Sequence, residues 1–357
     1  MSAPRLVLIV SGFPRRSETF ALAEIEALDR FGMLAAVFST KPGEDGVAQP
    51  AAQRLRARVQ LLAGDPPAQA CDAVRRLGGL RVDGVHAYFA HTPAAVASDV
   101  AGALRVPFGF SAHARDTRKI PRVELHARAR RAACVVACNA DVARELDGSG
   151  TRPALVPHGV DLERFFARRR STSRVLSMLA VGRLVEKKGF HVLLDAAARL
   201  DIFWQLRIVG EGPERDRLAA QARAAGVMGR ISFVGGLTHD ALPAEYSRAD
   251  VVVVPSIRDR AGDRDGLPNV VLEAMASGAA IVAADAGAIT SAVHDRVTGL
   301  VVPAGDAPAL GRALTALAGN PGARRRLGAA ARARVERDFD ARKCTERLAQ
   351  VLREAYA

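Results

Sequence analysis

No apolar run reaches the roughly 18 residues that a membrane-crossing helix needs. The strand-like Leu6-Val7-Leu8-Ile9-Val10 is too short for a secretory signal, and no small-residue cleavage site follows it. The sequence therefore reads as cytoplasmic. The four cysteines, Cys71, Cys134, Cys138 and Cys344, make no C-x-x-C pair, and no Cys/His cluster has zinc spacing. They read as reduced structural thiols, with Cys134 and Cys138 on one face of a strand. Aromatic residues are only 5% of the chain, whereas platforms for single-stranded nucleic acid depend on them. No helix-turn-helix, zinc-finger or RRM signature is present. Nucleic acid is thus excluded as a partner despite a net charge of +13, because the arginines are dispersed instead of forming tracts. The dinucleotide G-x-G-x-x-G fingerprint is missing, which excludes an NAD or FAD enzyme. So is the G-x-S-x-G elbow, which removes an α/β-hydrolase.

What the chain does have is regular alternation. At 357 residues it exceeds what one hydrophobic core usually serves. Short β-branched runs alternate with Ala- and Leu-rich amphipathic stretches, the pattern of parallel βα units. Strands are expected at 5–10, 33–38, 84–89, 107–111, 134–138 and 154–157, then at 177–182, 204–209, 230–234, 250–254, 279–284 and 299–302. A basic, then Ser/Thr-rich stretch from Asp161 to Ser173 reads as a linker. The expected fold is α/β: two Rossmann-like domains, 1–170 and 171–337, whose parallel sheets face across a cleft. Helices are expected at 321–337 and 340–355, the segment 338–357 crossing back to the first domain.

The most informative run is Gly262 to Ala276. An acidic, glycine-broken loop turns at Leu267-Pro268 into an apolar helix, Pro268 suiting the first helical turn. Glu273 then sits among Val270, Val271, Leu272, Ala274 and Met275, where a carboxylate needs a partner. The amides of Gly266, Leu267 and Asn269 lie where a helix start offers them to an anion. A phosphorylated sugar would answer the loop acid Asp265, these amides and Glu273 together. The plainer alternative is that Glu273 caps or salt-bridges within its own domain and Asp265 is a loop acid.

Four other constellations follow strands. In Val181 to Gly189, Gly182 lets the chain turn, and Arg183 and Lys188 are placed to neutralise a diphosphate, with Lys187 facing solvent. A solvated basic loop is the alternative. Gly210, Gly212 and Pro213 make a glycine turn before a helix, which either approaches a nucleotide or is a plain βα turn; Gly235 resembles it. Near the N-terminus Ser17 is a candidate N-cap, Gly12 would admit a substrate, and Arg15 and Arg16 would face an anionic acceptor. His86 and His91 end one strand, His86 reading as a structural histidine; His113, beside Ser111 and Asp116, ends the next and reads as a site residue.

Together these segments resemble the retaining glycosyltransferases of the GT-B fold, in the large family four group. Asp265 to Glu273 is similar to that family's E-x7-E motif, and Val181 to Gly189 to its Gly-Arg-Leu…Lys-Gly phosphate motif. Val251 to Ser256 is similar to the preceding strand and Val156 to Asp161 to the start of its interdomain linker. Phe13-Pro14 with Ser17 to Phe20, His86 to His91, and Ser111 to Asp116 resemble the colanic-acid and exopolysaccharide branch.

The resemblance implies sugar transfer from a nucleotide-diphosphate sugar, UDP- or GDP-linked, to a saccharide or polyprenyl-linked acceptor, with no metal or other cofactor. Arg183 and Lys188 would bind the diphosphate, Glu273 the ribose hydroxyls and Asp265 a hydroxyl of the sugar. Gly266, Leu267, Pro268 and Asn269 would shape that pocket. Gly12 and His113 would line the first-domain side, and Arg15, Arg16, His91, Arg115 and Asp116 the acceptor side. Asp265 stands where the family usually has Glu, Ala286-Gly287-Ala288 replaces a double glycine, and Ser291 replaces an acid. Asp263-Arg264-Asp265 has the spacing of a metal-binding acid pair but reads as loop. A sugar-nucleotide epimerase on the same fold and a non-catalytic carbohydrate- or membrane-binding protein are the alternatives. The basic stretch Arg118 to Arg131 would either meet an anionic membrane face, making the protein peripheral there, or form a solvated basic helix.

Overall fold

Every position from Leu6 to Val10 is apolar, which is what a strand covered on both faces requires. β1 (Leu6–Phe13) is buried along nearly all its length in a computed structural model that describes residues 3–15, 18–44, 50–114, 117–167 and 174–357. Around it lie β2 (Leu34–Pro42), β3 (Val59–Leu61), β4 (Gly84–Tyr88), β5 (Phe108–Ala112), β6 (Cys134–Ala137) and β7 (Ala154–Leu155). All pairings are parallel, in the order β3-β2-β1-β4-β5-β6-β7. Alternate β1 residues enter opposite cores: Val7 and Ile9 join Phe110 and Val135, while Leu6, Leu8 and Val10 join Leu348 and Leu352.

The second sheet holds β8 (Leu176–Val181), β9 (Trp204–Val209), β10 (Ile231–Gly235), β11 (Val251–Val254), β12 (Ala280–Asp285) and β13 (Leu300–Pro303). Its order is β10-β9-β8-β11-β12-β13, again all parallel. Chain order reverses between β1 and β4 in one sheet and between β8 and β11 in the other. Open α/β sheets bind ligands outside the carboxyl ends of strands at such reversals.

The chain separates into two compact units, one running to Gly159 and resuming at Ala341–Ala357, the other Val160–Asp340. The division falls earlier than the boundary at 170 read from the linker composition. Val160 and Phe165 are buried in the second unit's core, Phe165 at 1% exposure. Residues 168–173 of that linker lie outside the described residues. The last helix, Ala341–Tyr356, buries Cys344, Leu348, Leu352 and Tyr356, one residue per turn, against the first sheet. Each leucine covered this way contributes about 1.5–3 kcal/mol. Tyr356 reaches furthest, its hydroxyl 2.9 Å from His86 Nδ1.

Two expectations change. Cys134 and Cys138 do not share a face: β6 ends at Ala137, so Cys134 packs with Leu348 and Tyr356 while Cys138 joins the opposite core with Val135. Both thiols are free. Pro268 is not in the first helical turn; it is the N-cap of Asn269–Ala276, one residue earlier.

Candidate active site

In the second unit, the turn after β8 winds through a single 3-10 turn, Glu186–Lys188, and ends on Gly189 at φ 66°. A Cβ there would lie 1.8 Å from the Pro255 carbonyl oxygen, so glycine lets this turn press against the end of β11. Both lysines are thereby delivered to the loop that follows β11. Lys188 Nζ donates to Asp265 Oδ2 at 2.7 Å, and Ser256 Oγ donates to the same oxygen at 3.1 Å. Lys187 Nζ lies 3.0 Å from Asp263 Oδ2 and 3.6 Å from Asp265 Oδ1. Lys187 is therefore not solvent-facing: it is 7% exposed. Burial raises the Asp265 pKa, but Lys188, Lys187 and Ser256 together hold it below the ordinary carboxylate value. Asp263 closes the loop on Asp259, taking that carboxylate on its own amide at 2.8 Å.

Glu273 is buried and already partnered. Tyr246 donates its hydroxyl to Oε2 at 2.7 Å, and His239 Nε2 stands 3.5 Å from Oε1. Arg164 backs that histidine at 2.7 Å from Nδ1. These are contacts within its own unit, the plainer of the two readings. Burial and the Glu273 charge raise the Tyr246 pKa well above its usual value, so the hydroxyl keeps its proton. Arg183 is exposed; its carbonyl accepts from Val185 N at 2.9 Å, while its guanidinium has no hydrogen-bond or ion-pair partner among the described residues. The structure thus joins Lys188 with Asp265, and Glu273 with Tyr246, as two clusters along one loop and helix, with Arg183 at the adjoining strand end.

The glycine turns serve the protein backbone first. A Cβ at Gly210 would lie 1.9 Å from Gly182 O, and one at Gly212 would lie 2.4 Å from Leu184 O. These two glycines therefore let the neighbouring turn pack closely, the plain βα-turn role that was the alternative to nucleotide approach. Gly235 has φ 82° and open space around it, Pro213 is exposed, and the Gly266 carbonyl accepts from Ala288 N at 3.3 Å. Leu267 packs at the edge of the core, and Asn269 begins the helix.

In the first unit a small recess of about 10 Å³, room for one water, lies at the β1/β4 reversal, lined by Gly12, Phe13, Arg15, Glu18, Leu22 and Phe89. Gly12 does not offer its bare face to a ligand, since a Cβ would meet Pro42 O at 2.7 Å. Arg15 is held by Glu18 at 3.1 Å. His91 caps the helix Thr92–Leu104 by accepting the Thr92 amide on Nδ1 at 2.8 Å. Burial, then Lys119, Lys41, Arg128 and Arg15, bring its pKa to about 4. His86 is structural, hydrogen-bonded to Tyr356 and Ser111 at 2.9 Å each, with burial lowering its pKa to about 3. Arg16, Ser17, Arg115 and Asp116 lie outside the described residues.

His113 sits in a box of rings: Phe20 at 5.1 Å, Phe89 at 4.8 Å, Tyr88 at 6.2 Å and His158 at 5.1 Å, the last stacked and nearly parallel at 9°. Burial first, then the neighbouring His158 charge, keep its imidazole neutral. Glu24 links the box together, accepting from Tyr88 Oη at 2.9 Å and from His158 Nδ1 at 2.8 Å. Burial lowers the His158 pKa, but Glu24 and then Cys138 outweigh it and raise the value to about 10. Glu24, Tyr88 and His158 escaped the sequence reading. The available signal was Glu24 itself, a carboxylate on the apolar face that Ala21, Leu22, Ile25 and Leu28 bury.

Comparison with solved structures defines the class. HepE of Anabaena, crystallised with UDP, superposes with a TM-score of 0.82 at 17% identity, covering 98% of this chain and 100% of that one. Sucrose-phosphate synthase from Thermosynechococcus elongatus gives 0.81 at 21% identity, with 98% coverage of each. The fold is GT-B. Residues 163–334 match the family model for glycosyl transferases group 1, and residues 17–164 match that for glycosyltransferase family 4. The chain belongs to this glycosyltransferase family. Among curated relatives, a glycogen synthase of Mycobacterium tuberculosis is 35% identical over 225 residues, 61% of this chain and 53% of the relative. WcaL of Escherichia coli, named for colanic acid biosynthesis, is 31% identical over 204 residues, 54% of this chain and 49% of the relative. AmsK of Erwinia amylovora, named for amylovoran biosynthesis, is 29% identical over 198 residues, again 54% and 49%. The matches span about half the length of these relatives.

Proposed function

We propose that the protein is a retaining glycosyltransferase that moves a sugar from a UDP- or GDP-sugar onto a saccharide acceptor, lipid-linked, in exopolysaccharide or cell-surface glycan synthesis. The observation that carries this reading is the Lys188–Asp265–Ser256 cluster at the β8/β11 reversal, with the exposed Arg183 on the same βα turn. The relatives named for colanic acid and amylovoran biosynthesis support the acceptor class, and HepE with UDP supports the donor class.

In this reading Arg183 and Lys188 stabilise charge developing on the departing diphosphate, an effect of a few kcal/mol, about what one well-placed donor supplies in an oxyanion hole. Two side-chain cations do this without a metal. The acceptor hydroxyl enters on the leaving-group face, and the departing phosphate oxygen takes its proton through an oxocarbenium-like transition state. Asp265 offers its remaining lone pairs to a sugar hydroxyl, and Glu273 uses Oε1 for the ribose. Gly182, Gly235 and Gly266 to Asn269 shape the donor pocket. His113, a neutral imidazole, hydrogen-bonds a hydroxyl and does not act as an acid. Gly12, Arg15 and His91 stand on the acceptor side. The helix Arg122–Arg131 touches an anionic membrane face through Arg130, Arg131 and Val123, the last 79% exposed. Arg118, Arg122 and Arg128 are instead engaged by Glu145, Asp147 O and Ala90 O within the protein.

The test is transfer from labelled UDP- and GDP-sugars to lipid-linked saccharides, with the anomer read by NMR. Transfer should persist in EDTA. Arg183→Ala and Lys188→Ala should each reduce kcat/KM by about 10²–10³. An inverted product anomer, or full activity in the double variant, would refute the reading.

A further inference from the structure

The four charges of the second unit's cluster are not paired symmetrically. Asp265 carries a lysine on each oxygen, Lys188 at 2.7 Å and Lys187 at 3.6 Å, while Lys187 is simultaneously 3.0 Å from Asp263. Lys187 is the more enclosed lysine, its side chain 9% exposed against 15% for Lys188. Asp263 is the more exposed acid, 31% against 10% for Asp265. The backbone fixes Lys187 in place, its carbonyl accepting from Ile257 N at 2.8 Å.

A diphosphate reaching Lys188 competes with Asp265 for a single ammonium. Were Lys188 to turn to the phosphate while Lys187 stayed with Asp263, only the Ser256 hydroxyl would remain within hydrogen-bond distance of Asp265, with Lys187 at 3.6 Å. A buried carboxylate stripped of its counter-ion is strongly unfavourable, and donor binding would bear that cost. Lys187 already stands at the other oxygen, and the partner it would leave has solvent to replace it. We infer that Lys187 is a positioning residue, a reserve counter-ion that moves from Asp263 onto Asp265 as Lys188 is handed to the donor's diphosphate. The inference rests on the proposed donor role of Lys188.

Titration calorimetry of UDP and of GDP into the full chain, at pH 6 in two buffers of different ionisation enthalpy, tests it. The wild type should bind with little proton exchange. Lys187→Met should bind roughly tenfold or more weakly and take up a proton, because Asp265 protonates once Lys188 leaves it. Lys187→Arg should restore binding to within about threefold. Asp263→Asn, which releases Lys187 toward Asp265, should bind within about threefold of wild type or more tightly. Lys187→Met binding like wild type without proton uptake overturns the inference. So does Asp263→Asn weakening binding about tenfold, since the pair then only pins the loop; this arm stands even if Lys187→Met does not fold. Loss of binding in Lys188→Met with no change in Lys187→Met sinks the reserve role alone. Wild-type protein that binds neither nucleotide sinks the donor reading and this inference with it.

Discussion

Glu24 accepts from two donors inside the first unit, and the charge on His158 depends on it. The sign of the pH effect follows. The His158 pKa is raised in the folded chain to about 10, so its contribution is complete below the unfolded histidine value of about 6.5. It is lost as pH rises through 10. Glu24→Gln should lower unfolding stability by about 3 kcal/mol near pH 6, as when one partner of a buried pair is removed. The difference should shrink toward pH 10 in denaturant titrations at the two pH values. At this scale the sequence was a partial guide. Lys188 and Asp265 were legible because their spacing from strands placed them at a reversal. The Glu24–His158 pair was not, because its members stand 134 residues apart and no local pattern links them. Lys187 was misread because what encloses it is distant in sequence: the loop after β11 brings Asp263 and Asp265 to 3.0 and 3.6 Å from its ammonium.

Secondary-structure elements were the easiest objects to read. Each expected strand is present, most of them because parallel strands buried on both faces form continuous apolar runs; β7, Ala154-Leu155, is the partly exposed exception. β3 was missed: Val59-Gln60-Leu61 is three residues long at a sheet edge, with Leu61 46% exposed. The closing helix shows what the pattern did not foretell, a fit that depends on glycine. A Cβ at Gly84 would lie 2.1 Å from Tyr356 Cδ1. Gly84→Ala should therefore cost about 1–3 kcal/mol by overpacking, and Tyr356→Ala about 3–5 kcal/mol. In a double-mutant cycle followed by thermal melting, Gly84→Ala should be nearly neutral once Tyr356 is alanine.

For the whole molecule, acid should act on the two units unequally. His86, His91 and His113 are kept neutral in the first unit, the first two with pKa values of about 3 and 4. Unfolded, each takes a proton below about pH 6.5, so folding stability is full above that value and falls as pH drops. Each fully shifted group removes about 1.4 kcal/mol per pH unit. In the second unit burial, then Arg217, lower the His191 pKa in the same way, one histidine against three, and Asp265, depressed below its ordinary value, acts in stronger acid. Hydrogen exchange at pH 5 should therefore show the first unit's β1, β4 and β5 losing protection before β8 and β11. Equal loss in both sheets would contradict this.

The last helix gives the chain an order of assembly. Val160–Asp340 is continuous, so it can close while the polypeptide is still being synthesised. The older half cannot. His86 leaves the ribosome 270 residues before the hydroxyl of Tyr356 that completes its hydrogen bonding, and the apolar surface awaiting Leu348 and Leu352 stays bare until then. The half made first is the half finished last.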